Sequence, residues 1–179
     1  MCITNFVGWS EMKKIPIKVI TDRKEFQNNR VPEIGKEFEL EKIVVEENKY
    51  YNGVVAIEPL DFSAKCVHHL VAITGKAYFA YMPDKYVIGL SQTSRILEYF
   101  LNVTKEIIQE EANTEIVNFF DEMLKPKGVW LVLKAKHDCM CSRGVRQRNA
   151  RTTTSVMRGI FHTDQALRNE TIQLWRLKS

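Results

Sequence analysis

The chain has 179 residues, with 26 basic against 22 acidic side chains, a net charge of +4 and a pI near 8.8. Apolar residues make up 45% and charged residues 27%, which excludes a disordered or fibrous chain and leaves room for one cored domain. So mild a positive balance is thinner than a nucleic-acid surface needs, and no apolar run approaches the ~20 residues that cross a bilayer. No leading apolar segment marks export, so the chain reads as cytoplasmic and its four cysteines as thiols or metal ligands rather than disulfides.

Residues 1–50 read as a short amino-terminal arm with little periodicity. Within it Ile15, Ile17 and Val19 alternate with polar or Pro positions, a short strand that Pro16 confines to a sheet edge. The charged stretch 36–47 predicts no element, and Asn52-Gly53 is a turn signal. Two long strands are predicted next, over 54–62 and 70–81, the second with a bulge or bend at Thr74-Gly75. Ser91 is the expected N-cap of a helix carrying Ile96, Leu97, Phe100 and Leu101. Thr104 is the expected cap of a second, carrying Ile108, Ala112, Ile116, Phe120 and Leu124, which Lys125-Pro126-Lys127-Gly128 stops. Val129, Leu131, Leu133, Ala135, His137 and Cys139 are all odd-numbered, so in a strand they share one face. A fourth strand over 152–161 and a closing helix capped by Thr163 or Asp164 complete the order.

Chemistry concentrates in two clusters, Cys66-Val67-His68-His69 and His137-Asp138-Cys139. Thiolates and imidazoles at this density are divalent-metal donors, zinc first among them. Cys66 and His69 are three apart across a turn, and His137 and Cys139 two apart on a strand. Cys66, His69 and Cys139 make a Cys₂His set with an open position for water, leaving His68 and His137 to move protons. The rival is a closed structural site with Cys141 as fourth ligand, which strand geometry does not exclude because Cys141 is odd-numbered too. Taken singly, each of these residues is more simply a buried thiol or a satisfied core imidazole.

These clusters and their surroundings resemble the GTP cyclohydrolase I family. The resemblance rests on Cys66-Val67-His68-His69 and its continuation to Ala77, on Tyr81-Met82-Pro83-Asp84 through Ser91 with Arg95-Ile96, on His137 through Val145, and on Thr152 to Ser155 with Gly159-Ile160-Phe161. It runs from about residue 53 to the end, so 51–179 is expected to be one family-like domain. It implies an α+β tunnelling fold (T-fold): an antiparallel four-stranded sheet, two helices between the strand pairs, and a C-terminal helix. In the family such subunits assemble into rings, two five-membered rings stacking to a decamer with sites between subunits. A homo-oligomer is therefore expected, with GTP as the small-molecule partner and neither membrane nor nucleic acid.

The resemblance implies zinc-dependent hydrolysis of GTP at C8, giving formate and 7,8-dihydroneopterin triphosphate, a first step toward pterin, folate or deazaguanine. By motif position Cys66, His69 and Cys139 correspond to zinc ligands and His68 and His137 to proton-transfer residues. Gln109-Glu110 corresponds to the helix motif whose glutamate reads the guanine N1 and N2 edge, with Glu111 competing because the stretch is about two residues longer than usual. Arg143 corresponds to the triphosphate arginine, and Ser91 and Arg95 to phosphate-side positions. Arg146, Arg148 and Arg151 lie near in sequence without an assigned role. Val67 stands where the family usually has Glu, and Gln92 where it usually has Lys, which removes a phosphate counter-charge. The rival functions are a non-catalytic zinc-containing T-fold protein that binds nucleotide or nucleic acid, and a T-fold nitrile reductase.

Overall fold

The computed structural model describes residues 17–20, 43–102, 104–142 and 145–176, the first four by backbone alone. The expected contributions of residues 15–16 and 36–42, and Arg143, lie outside the described residues.

The fold is α+β. Its main sheet has the order β6-β3-β4-β7-β8. Four long antiparallel strands form it: β3 (Val55–Cys66), β4 (Ala72–Met82), β7 (Gly128–His137) and β8 (Thr152–Gly159). Helices α1 (Leu90–Phe100) and α2 (Gln109–Leu124) lie between β4 and β7 in the chain. The expected four-stranded sheet gains a fifth strand, β6 (Glu106–Ile107), which runs parallel to the end of β3. A second sheet has the order β1-β2-β5, from β1 (Ile17–Ile20), β2 (Ile43–Glu47) and β5 (Tyr86–Ile88). β1 is an edge strand, as Pro16 predicts. β2 and β5 carry no signal of their own, being short and flanked by charge; Ile43, Val45 and Ile88 nevertheless join the main core.

Strand period divides the main sheet cleanly. In β7, Val129, Leu131, Leu133 and Ala135 are buried against the face that α1 and α2 cover, through Ile96, Leu97, Ile116 and Phe120. Phe79 stacks on Phe120 with centroids 4.4 Å apart. On the opposite face Trp130 meets Phe161 and Trp175, the latter at 4.8 Å. These come from α4 (Ile160–Thr163) and the residue that closes α5 (Gln165–Leu174). Asp164 caps α5 as expected, accepting from Leu167 N at 2.8 Å.

Four local expectations change. The expected strand over 152–161 stops at Gly159, whose φ of 62° turns the chain into α4. α1 begins at Leu90 after Gly89, with no side-chain cap, so Ser91 lies inside its first turn. α2 begins at Gln109, because 106–107 pair with β3 before the helix can start; the Thr104 amide instead binds Asn102 Oδ1. The bulge expected at Thr74-Gly75 lies in β3, between Ile57 and Leu60, where Pro59 has no N–H to give the ladder.

Gly75 pairs regularly, and its reason is close approach: a Cβ there would stand 2.5 Å from Lys134 O and 2.8 Å from Ala135 Cα. Gly75→Ala should therefore cost about 3 kcal/mol, the upper end for overpacking, read as a lower denaturant midpoint at unchanged m. Among the described residues no helix is long and apolar enough to cross a membrane.

Candidate metal centre

Three elements deliver three donors to one end of the main sheet. Phe62, Ala64 and Cys66 alternate onto the helix-covered face of β3, so Cys66 Sγ ends that strand pointing inward. The chain then reverses within five residues. Cys66 O accepts from His69 N (3.3 Å) and Leu70 N (2.8 Å), and Cys66 N donates to Val71 O (2.8 Å). Leu70 takes the left-handed conformation, φ 53°, that the reversal requires. This turn sets His69 Nδ1 3.6 Å from Cys66 Sγ. The third donor comes from α3 (Asp138–Cys141), the helical turn that follows β7. The register Ile73↔His137 brings it beside the Cys66 turn. The ligand atoms of Cys66, His69 and Cys139 all lie within 4.8 Å of one another.

The donor set fits zinc. Tetrahedral zinc, with Zn–S of about 2.3 Å and Zn–N of about 2.0–2.1 Å, sets a sulfur and a nitrogen ligand about 3.5 Å apart; the 3.6 Å between Cys66 Sγ and His69 Nδ1 matches that edge. Burial, then the adjoining Cys66 sulfur, push the Cys139 thiol up in the metal-free protein. A divalent cation held by this group would supply the charge that keeps both cysteines as thiolates.

The shared strand face expected for residues 129–141 ends at His137. Beyond it the chain is helical, and i, i+2 side chains of a helix point apart. Cys139 reaches the donor group from that helical turn. Cys141 does not belong to the group; it is buried, with its Sγ 3.9 Å from Ala150 O. Cys141→Ala should leave zinc content unchanged on metal analysis, whereas a closed four-ligand site requires its loss.

His137 ends β7 on the helix-covered side, half-buried, with Nε2 2.7 Å from Gln109 Oε1. Burial lowers its pKa and the charge of Glu110 partly offsets this. Gln109 is 1% exposed. Its Nε2 donates to Leu133 O and Thr154 Oγ1, both at 3.1 Å, with Thr152 O at 3.4 Å. Asn113, one turn along α2, donates to the same Thr154 oxygen at 2.9 Å. Both side-chain polar atoms of Gln109 thus have protein partners. Thr154 and Asn113 escaped sequence reasoning; the i, i+4 spacing of Gln109 and Asn113 on an apolar helix face was the signal available.

The other expected site residues lie outside this donor group. His68 is exposed in the turn, its ring 6.2 Å from that of His69. Glu110 and Glu111 are both exposed; the charge of Glu110 acts on His137, and that of Glu111 on Glu115 further along the helix. Ser91 is exposed and Arg95 half-buried on α1. Gln92, the residue at the family's lysine position, is buried with its Oε1 unpartnered. Arg143 lies outside the described residues.

A family model described as GTP cyclohydrolase I matches residues 7–176. The chain belongs to the GTP cyclohydrolase I family. Among its relatives is GTP cyclohydrolase 1 of Aquifex aeolicus, 37% identical over 149 residues that cover 81% of this chain and 80% of the relative. GTP cyclohydrolase 1 of Chlorobium phaeovibrioides is 38% identical over 137 residues, 76% of this chain and 60% of that one. The Homo sapiens member is 37% identical over 126 residues, 70% of this chain and 50% of that one. The chain thus spans little more than half the length of several family members it matches. Among solved structures, an archaeosine synthase QueF-Like in the apo form aligns with a TM-score of 0.48 and 12% identity, over 62% of this chain and 97% of that one.

Proposed function

We propose that this chain is the catalytic subunit of a zinc-dependent GTP cyclohydrolase I, acting in the cytoplasm as a T-fold ring, by family resemblance a decamer. The observation that carries the proposal is the convergence of Cys66 Sγ, His69 Nδ1 and Cys139 Sγ within 4.8 Å, a group of three donors among the described residues. Family membership and the half-buried His137 beside that group support it.

In this proposal Cys66, His69 and Cys139 hold the zinc, which when bound supplies Lewis-acid activation of the water that attacks guanine C8. His137 and His68 handle the protons: protonating the purine ring makes C8 more electrophilic, a proton delivered to N9 lets the C8–N9 bond of the hydrated ring break to a formamide, and a second water then cleaves that formamide, leaving a proton on the former N7 as formate departs. Glu110 accepts from guanine N1–H and N2–H, a donor pair that adenine lacks. Its charge reaches His137, which is why we assign it rather than Glu111. Ser91, Arg95 and Arg143 take the triphosphate. Gln109, enclosed in protein, is assigned a supporting role instead of a substrate contact.

The test is turnover. Zinc-loaded protein given GTP should release formate and develop pteridine absorbance; zinc and GTP binding without either product would reject catalysis and favour a binding protein. Glu110→Ala should raise KM for GTP by about 10- to 100-fold, the value of a charge-assisted bidentate contact of about 1.5–3 kcal/mol. Glu111→Ala should leave KM close to wild type.

A further inference from the structure

We infer that Gln109 is a positioning residue that locks His137 as its Nε2–H tautomer, so that His137 exchanges protons with its surroundings only through Nδ1. The inference rests on the proposed role of His137 for its catalytic meaning, and on hydrogen-bond accounting for its chemistry.

A glutamine amide can be turned either way about its last bond, and here the surroundings choose. Its nitrogen faces Leu133 O, Thr152 O and Thr154 Oγ1. Two of these are backbone carbonyls, which only accept. The reversed amide would set Oε1 against both carbonyl oxygens, acceptor against acceptor, and bury the mismatch at a 1% exposed position. Thr154, whose hydroxyl accepts from Asn113 Nδ2 at 2.9 Å and can still donate, suits either orientation, so the two carbonyls make the choice. Gln109 Oε1 therefore points at His137, and at 2.7 Å it needs a proton from Nε2. A neutral imidazole carries one N–H, so Nδ1 keeps the lone pair.

The placement also separates the two nitrogens spatially. Nε2 is turned toward Gln109, a 1% exposed residue of α2 that packs against the sheet. Among the described residues Nδ1 takes no hydrogen bond. Without the amide, the neutral ring would divide between tautomers and between ring orientations, and only part of the population would present a basic Nδ1.

Long-range ¹⁵N–¹H NMR on histidine-labelled protein reads this directly, with and without zinc and without GTP. His137 signals are identified by their loss in His137→Ala. In the wild type, Nε2 should resonate as a pyrrole-type nitrogen and Nδ1 as a pyridine-type one; the opposite pattern overturns the inference. Gln109→Met should give averaged nitrogen shifts, while Gln109→Glu, whose carboxylate still accepts, should keep the proton on Nε2. An unchanged pattern in folded Gln109→Met would show that something else sets the tautomer. In kinetics Gln109→Met should lower kcat by about 10- to 100-fold with KM within about two-fold; a raised KM at unchanged kcat would make Gln109 a substrate contact and overturn the inference. If wild type proves inactive on GTP, the catalytic reading fails, and the NMR pattern alone still decides the tautomer.

Discussion

Cys66→Ala should abolish both zinc retention and formate release. Cys66 Sγ is shared by two of the close approaches in the donor group, 3.6 Å to His69 Nδ1 and a thiol contact with Cys139. Removing it leaves one thiolate and one exposed imidazole, a two-ligand site. Zinc held by these residues would lower the pKa of a water from about 15.7 to about 7, so its loss should reduce turnover by at least about 10³-fold. Metal analysis and a formate assay on the same sample check both parts. Cys66 also packs in the main core, so Ala substitution costs stability of its own. Cys139→Ala, at a less buried position, separates the effects: it should lose zinc equally while unfolding closer to the wild-type metal-free protein. Full zinc occupancy in either variant would sink the three-donor assignment.

His137→Ala should do the reverse, keeping zinc and losing the reaction. Its ring lies outside the donor group and hydrogen-bonds Gln109 instead. Positioned acid–base catalysis is worth about 10²–10⁴-fold, and kcat should fall by that amount at near-normal zinc content. The substitution also strands Gln109 Oε1 in a buried layer, so a stability loss of about 1–3 kcal/mol is expected beside the kinetic one. Single-turnover formate release and thermal melting measure the two separately. Wild-type turnover in His137→Ala would remove this imidazole from the mechanism.

Much of this arrangement is visible before folding is considered. β3, β4 and β7 announce themselves through period-two alternation of Val, Ile, Leu and aromatic residues, β8 through its β-branched run Thr152-Thr153-Thr154 with Val156, and α1 and α2 through apolar repeats of three and four. Those periods arise from the backbone of a single segment, so a single segment suffices to reveal them. β2, β5 and β6 do not appear that way. Each has five residues or fewer and exists because a distant strand offers hydrogen bonds: Val45 to Ile88, Lys65 to Glu106. The same contrast runs through the cap positions. Asp164 caps α5 by a local bond, while the expected caps Ser91 and Thr104 give way to the non-local pairing of the segments before each helix.

By itself the sequence determined the kind of chemistry: soft sulfur and imidazole donors in two tight clusters, in a chain otherwise poor in both. It could not determine which of Cys66, His68, His69, His137, Cys139 and Cys141 converge. Tertiary structure decided that, because convergence depends on where β7 stops being a strand and on the register that sets Ile73 opposite His137. The turn into α3 swings Cys139 toward Cys66 and carries Cys141 away, while the packing of α2 buries Gln109 against His137 and leaves its neighbour Glu110 facing outward. Spacing along a chain limits which side chains can meet, and packing of elements distant in sequence selects among them.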